Sequence, residues 1–383
     1  MRSPGPEQRR PGSDGQPPRV AIVSSGLGRW PHRRRDWFAA LATACRDLLP
    51  PASRLLSVPG TTTQPYLLRC AELFDHRIDE IDATGTQRHE RDRLAISRSD
   101  LIVILSARRG SRTQQLIDTL LADPPAVRPE IWSAMDPSLV QRSSSLGWKA
   151  RLFHPVPVPD FHRSVPTAPI SSKREPGPTR WHDHSLDPHD WLLHCTRECC
   201  GPWPGQSRRD YLDDLILGRP TSDHSVLASL LRIITQRRLR AVSRPVQGGP
   251  FAVSFSACPL AGLASRRVFR PHRGRWDFEP YGIAISRNWL SARGGRPVIY
   301  RPPDSLTGDD PFEQPTHART QPKLNWTLEA EWRHPGDLDL RSLSATRGVV
   351  FVASEEDART VDSVSPWPVV VLGRFRQDGS SVQ

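Results

Sequence analysis

A chain of 383 residues exceeds what one ordinary core organises and points to two domains. Only 37% of it is hydrophobic and 39 residues are proline, which leaves a good fraction for loop or tail; the apolar runs LIVIL and PVVVLG fall far short of a membrane span. The net charge of +12 comes from 53 Lys+Arg against 41 Asp+Glu, nearly all the cations being arginine. That excess admits two readings, an anionic partner suited to the guanidinium fork or the codon bias of a GC-rich genome.

Residues 1–18 form a Pro/Gly/Arg tail, expected to be disordered and without the apolar segment of a secretory signal. The six cysteines follow no disulfide framework, so a cytoplasmic protein with reduced thiols is expected. RVAIVSS (19–25) reads as a buried strand and RRDWFAALATACRDLL (34–49) as a helix. Residues 53–74 read as strand, Gly/Thr turn and helix, and residues 91–123 as helix, the strand LIVIL, loop and helix. This alternation predicts an α/β Rossmann-like domain with a parallel sheet over residues 19–150.

From about 124 to 180, proline, serine and charge break every period, and the stretch reads as irregular, with a Pro-rich linker at 151–180. Residues 181–376 then carry the strands DWLLHCT, FAVSFSA, YGIAIS, PVIY, GVVFVAS and WPVVVLG. Between them lie the helices RRDYLDDLIL (208–217) and SVLASLLRIITQRRL (225–239). This predicts an α+β domain with a largely antiparallel sheet, followed by a tail at 377–383.

In an open parallel sheet, ligands sit beyond the carboxyl ends of the strands. The residues there are Ser24, Ser25 and Gly26 after the first strand, Gly60, Thr61 and Thr62 after the second, and Ser106, Arg108, Arg109 and Gly110 after the third. Free N–H groups opening a helix, hydroxyls and two guanidiniums together suit a nucleotide or sugar phosphate. The alternative is that these small residues only cap helices, since neither GxGxxG nor a Walker loop is present. In strand-end composition and order this half resembles the SLOG-type nucleotide-sensing domains of bacterial conflict systems, which implies a nucleotide ligand.

In WLLHCTRECC (191–200), His194, Cys195, Cys199 and Cys200, with His182, His184 and His189 nearby, supply zinc-ligand types. No second ligand pair follows downstream, so zinc is disfavoured, no metal ligand is assigned, and the thiols read as packing. A catalytic cysteine would need a basic partner that the sequence does not show. The aromatic-rich HRGRWDFEPYGI (272–283), with Arg273, Arg275 and Trp276, reads either as a partner or nucleic-acid surface or as a loop anchored by Trp276 and Phe278.

Over about residues 190–355, the order of AVSFSACPL, YGIAISRNWL, PVIY and EAEWR resembles the second half of the AbiGi abortive-phage-infection proteins. More distantly, HCT, a Ser strand and a late glutamate resemble the ADP-ribosyltransferase fold, with HCT where that fold has HGT. The likeness implies NAD as cofactor, with His194 and Thr196 holding its adenosine ribose, Ser254 or Ser256 on the second strand, and Glu331 or Glu329 as the carboxylate. Such a carboxylate stabilises the oxocarbenium ion formed as nicotinamide leaves and orients the acceptor. The implied protein is a defence-associated sensor–effector acting on a nucleic acid or protein. The competing expectation is a non-catalytic regulator that binds one of them, with His194 structural and EWR an ion pair beside a packed tryptophan. Convergence of His194, Ser254 or Ser256, and Glu331 on one cleft separates the two.

Overall fold

The computed structural model describes residues 16–87, 90–156, 186–241, 251–271, 275–302, 305, 310, 312–315 and 330–372. Residues 1–15 of the tail expected at 1–18, the tail at 377–383, the linker from 157, Glu329, Arg273, His182 and His184 lie outside these described residues. The chain divides into two units, Met1–Arg163 with Cys200–Asp223, and Ser164–Cys199 with His224–Gln383.

The first unit contains the strands β1 (Arg19–Ser24), β2 (Arg54–Ser57), β3 (Arg77–Glu80), β4 (Leu101–Ser106), β5 (Glu130–Ala134) and β6 (Ala150–Phe153). All pair in parallel, in the order β3-β2-β1-β4-β5-β6. Helices α1 (Arg35–Ala42), α2 (Gln64–Phe74), α3 (Arg91–Ile96), α4 (Arg112–Ala122) and α5 (Pro137–Ser145) lie between them. This is a Rossmann-like α/β fold.

Alternation along each strand decides the layering. Val20, Ile22, Leu55, Leu101 and Val103 share a core with Trp37, Phe38, Leu67 and Cys70 of α1 and α2. Ala21, Val23, Leu56, Ile102 and Ile104 face the other way, toward Ala95, Ile117, Leu121 and Leu139 of α3 to α5. The first face is completed by α6 (Arg208–Leu217), whose Tyr211, Leu215 and Ile216 enter the same core. Arg69 of α2 grips Asp213 of α6 through one guanidinium edge, Nε to Oδ1 and Nη2 to Oδ2 at 2.8 Å, and pairs with Glu72 through Nη1. Residues 200–223 therefore belong with the first unit rather than with the 181–376 domain in which the sequence reading set them.

The irregular stretch expected from about 124 also needs correction. It contains β5, α5 and β6, and β6 crosses the expected boundary at 150. The half-exposed edge strands β3 and β6 have no apolar run, so pairing and not composition makes them strands.

The second unit contains β7 (Trp191–Cys195), β8 (Arg238–Leu239), β9 (Ala252–Ser256), β10 (Val268–Arg270), β11 (Arg275–Asp277), β12 (Gly282–Ser286) and β13 (Arg296–Pro297). It continues with β14 (Ile299–Arg301), β15 (Glu313–Pro315), β16 (Glu331–Pro335), β17 (Leu338–Asp339), β18 (Gly348–Val352) and β19 (Val369–Val371). Seven of these form a sheet in the order β13-β16-β9-β7-β12-β18-β19, antiparallel throughout except for the last pair. The helices are α7 (Val226–Gln236), α8 (Leu263–Arg266), α9 (Arg287–Ser291) and α10 (Glu355–Asp362). One sheet face buries Leu192, Val253, Phe255, Ile283 and Val350 against Leu230 and Ile234 of α7, Trp289 of α9 and Val361 of α10. The other gathers Leu193, Ala284, Val349 and Phe351 with Cys258, Leu260 and Leu263. At Gly282 a Cβ would collide with the His194 carbonyl and the Phe351 ring, so the close β7–β12 pair requires glycine there. No helix among the described residues is long and apolar enough to cross a membrane.

Asp213→Ala leaves the buried Arg69 guanidinium without its main carboxylate. Equilibrium urea unfolding is expected to show a loss of about 3–5 kcal/mol, as for removal of one partner of a buried ion pair.

Candidate functional site

Two places in the structure carry the residues singled out from sequence, one in each unit. In the first, the strand order reverses between β1 and β4, and the loops after these strands flank the crevice. The pairing slips between Val23 and Ser24, and the Ser25 N–H donates to the Ser106 carbonyl at 2.8 Å, tying the two strand ends together.

The buried Ser24 hydroxyl accepts from the Trp37 indole at 2.7 Å. The Ser25 hydroxyl donates to Ser111 Oγ at 3.0 Å and accepts from the Arg108 N–H at 2.9 Å. The Arg108 side chain reaches the Gly26 carbonyl. These contacts use the serines to brace the crevice rather than to present hydroxyls to a ligand. Arg109 and Thr62 have no hydrogen-bond or ion-pair partner among the described residues, and the Gly26–Gly28 loop donates no main-chain hydrogen bond there.

The loops after β2 and β4 share one device. The Gly60 N–H donates to Gln64 Oε1 at 2.9 Å, and the Gly110 N–H donates to Gln114 Oε1 at 2.7 Å. Both glycines hold positive φ, +79° and +71°, where a side chain would be strained. Thr61 bonds the Val58 carbonyl, and the Arg91 guanidinium lies against Gly60 while donating to the Pro59 carbonyl at 2.8 Å. The Gly60–Thr61 turn is thus largely closed by its own contacts.

An open cleft of ≈ 170 Å³ lies beyond β4 and β5, lined by Ala107, Gln114, Asp136, Ser138 and Arg142 among others. Asp136 caps α5, accepting from the Leu139 N–H at 3.0 Å and the Ser138 hydroxyl at 2.7 Å. The residue before it, Met135, is exposed and held at φ +55°, a strained conformation for a side-chain-bearing residue. Sequence reading missed Asp136, Ser138 and Arg142, although Asp-Pro ahead of a helix is a start signal.

In the second unit, His194, Ser254 and Glu331 fall on the adjacent strands β7, β9 and β16. Register assigns their sides, because directly paired residues share a face. Glu331 pairs with Ser256, which pairs with Leu193; Arg333 pairs with Ser254. His194 pairs with Ile283, on the opposite face. The structure therefore gathers Ser254, Ser256 and Glu331 on one side of the sheet and sets the His194 ring on the other, against Phe255 at 5.6 Å between centroids.

Glu331 is held tightly. Its Oε1 accepts from the exposed Ser254 hydroxyl at 2.9 Å and from Arg333 Nε at 2.7 Å, and its Oε2 accepts from Arg333 Nη2 at 2.9 Å. Arg333 is buried, its side chain only 3% exposed against 15% for Glu331. Trp332 points to the other face, with the Arg287 guanidinium 5.1 Å from its ring.

Thr196 is buried and donates its hydroxyl to the Tyr281 carbonyl at 3.0 Å, so it fastens the end of β7. His194 Nδ1 lies 2.9 Å from the Ser254 carbonyl. Burial pushes its pKa down from the ordinary 6.5 to about 4; the Ser254 carbonyl opposes the shift and the Arg197 charge assists it, so the ring is neutral near pH 7. Burial also pushes the Cys195 thiol up; Cys258 and the carboxylates of Glu279 and Asp277 add to that rise, and Arg197 pulls the other way. A thiol held protonated in this way is no nucleophile. All six cysteines are free, and no group of three or more potential metal ligands occurs among the described residues.

The folded chain binds no proton at His194 until about pH 4, whereas the unfolded chain takes one near 6.5. Stability is therefore lost as pH falls through that window and levels off below it. Melting temperatures across that range should show this slope in the wild type and a flatter one in His194→Phe. Comparison with protein-family models and with curated proteins found no match to this chain.

Proposed function

We propose that the protein is a nucleotide-responsive regulator whose first unit binds a nucleotide, or another phosphate-bearing ligand, at the β1/β4 crevice. The observation that carries this reading is the strand order β3-β2-β1-β4-β5-β6, which leaves the Gly26–Gly28 loop and Arg108–Arg109 on the two sides of the reversal. Unspent main-chain N–H groups and a partner-free guanidinium suit a phosphate. The resemblance to nucleotide-sensing and abortive-infection proteins supports a bacterial defence setting in the cytoplasm.

Thermal unfolding with adenine and guanine nucleotides, NAD and inorganic phosphate tests the first unit. A true ligand at a hundred times its Kd adds about 2.7 kcal/mol of stability. Arg109→Glu should abolish that gain and leave the ligand-free melting temperature unchanged. No shift with any compound would remove the reading.

The second unit carries a second reading, an ADP-ribosyltransferase-like site acting on NAD and transferring to a nucleic acid or protein. It is favoured by the Ser254–Glu331 hydrogen bond, which joins the second-strand serine to the carboxylate. Against it stand the two-pronged hold of Arg333 on Glu331 and the opposite facing of His194, which favour a non-catalytic binding module.

NAD consumption by wild type, Ser254→Ala and Glu331→Gln, with DNA or RNA present and absent, separates the two. Glu331→Gln strips the buried Arg333 of its countercharge and should itself destabilise by about 3 kcal/mol. Ser254→Ala, at an exposed position, is therefore the cleaner probe. Turnover lost in Ser254→Ala supports the transferase, and no turnover in folded wild type supports the binding module.

A further inference from the structure

The ribbon of β10 and β11 stands outside the seven-stranded sheet and pairs Val268 with Asp277, Phe269 with Trp276 and Arg270 with Arg275. A two-stranded ribbon is marginal by itself and needs side-chain anchors. Here they are ionic. Asp277 takes Arg270 at 3.0 Å and Arg197 at 3.8 Å, and Glu279 takes Arg267 at 3.2 Å. Phe278, between these two acids, packs against the sheet core.

The carboxylates lie inward, their side chains 12% and 13% exposed, while the side chains of Arg197, Arg267 and Arg270 are 49%, 26% and 20% exposed. Alternation along the ribbon puts Val268, Arg270 and Asp277 on one face, where Arg197 also pairs, and Phe269 and Trp276 on the other. On that second face Phe269 and Trp276 are 44% and 37% exposed, large apolar rings left at the surface. The rings meet edge to face at 5.4 Å, and the Arg267 guanidinium lies 4.3 Å from the Trp276 centroid. A cation held by both a carboxylate and a ring face is fixed in orientation.

Two exposed rings with a guanidinium held over one of them fit one class of partner well. Unpaired nucleobases stack on aromatic and guanidinium planes, and their phosphates pair with neighbouring arginines; bases inside a duplex offer no free face. We propose that the β10–β11 ribbon is a platform for single-stranded nucleic acid, with bases stacking on Trp276, Phe269 and Arg267 at its exposed aromatic face. The chain's net charge of +12 favours the same encounter. This platform is independent of the ligand proposed for the first unit and of any NAD turnover, and its test reads neither.

Fluorescence anisotropy of the full chain with labelled oligouridylate and oligothymidylate of about ten nucleotides is the experiment, with unlabelled duplex as competitor. Single strands should bind with an affinity that falls as salt rises, and duplex should compete poorly. Trp276→Ala should weaken binding about tenfold or more, Phe269→Ala less, and Trp276→Phe should restore most of it. Both alanine variants alter exposed side chains, so their melting temperatures should match wild type. Absence of single-strand binding at low salt overturns the proposal. So does unchanged affinity in both alanine variants, which would assign the binding to general electrostatics and the aromatic pair to a protein partner.

Discussion

A parallel sheet of six strands has two apolar faces, and both must be covered by helices before it is stable. In the first unit, α3 to α5 cover one face, whereas α1 and α2 leave the other incomplete. The third helix for that face, α6, arrives from residues 208–217, after the chain has already laid down β7 of the second unit. Tyr211, Leu215 and Ile216 supply the apolar contact, and the buried Arg69–Asp213 pair fixes its position. Trp37 of that core donates to Ser24 at the crevice between β1 and β4, so the completed layer reaches the carboxyl edge of the sheet there.

The second unit is governed by register instead. Two-residue periodicity sends Glu331 and Arg333 to one side and Trp332 to the other, so EWR becomes a two-pronged ion pair on one face and a packed ring on the reverse. The same rule separates His194 from Ser254 although their strands are neighbours. A shift of one residue in the β7–β9 pairing would have put both on one face. What joins them is the Ser254 backbone carbonyl, which the imidazole reaches from its own side.

Buried strands were plain in the sequence because their side chains are apolar on both faces: LIVIL is β4 and RVAIVS is β1. The edge strands RIDE and ARLF were not, since one side of each meets solvent and their pairing partner alone defines them. The bounds of α6 were legible from its pattern, but nothing local said which core it would join, because that depends on the uncovered helices α1 and α2 far upstream. The Ser-Glu part of the second-unit site was legible as residue types at strand positions. The facing of His194 was not, because no local pattern carries register between strands sixty residues apart. In the first unit the residues beside the crevice were legible as small and basic groups at strand ends, but the reversal of strand order that makes the crevice was not, and the cleft near Asp136 was hidden inside a stretch rich in proline and serine.

The passage of residues 200–223 through the first unit makes the two halves inseparable by a single cut. A fragment ending near residue 163 would leave Trp37, Phe38 and Tyr66 short of the side chains that cover them, with Arg69 unpaired. The complementary fragment would carry Tyr211, Leu215 and Ile216 with no core to enter. Each half expressed that way would show a sticky apolar surface, and only a break made inside a surface loop of the intact fold would leave both units properly clothed.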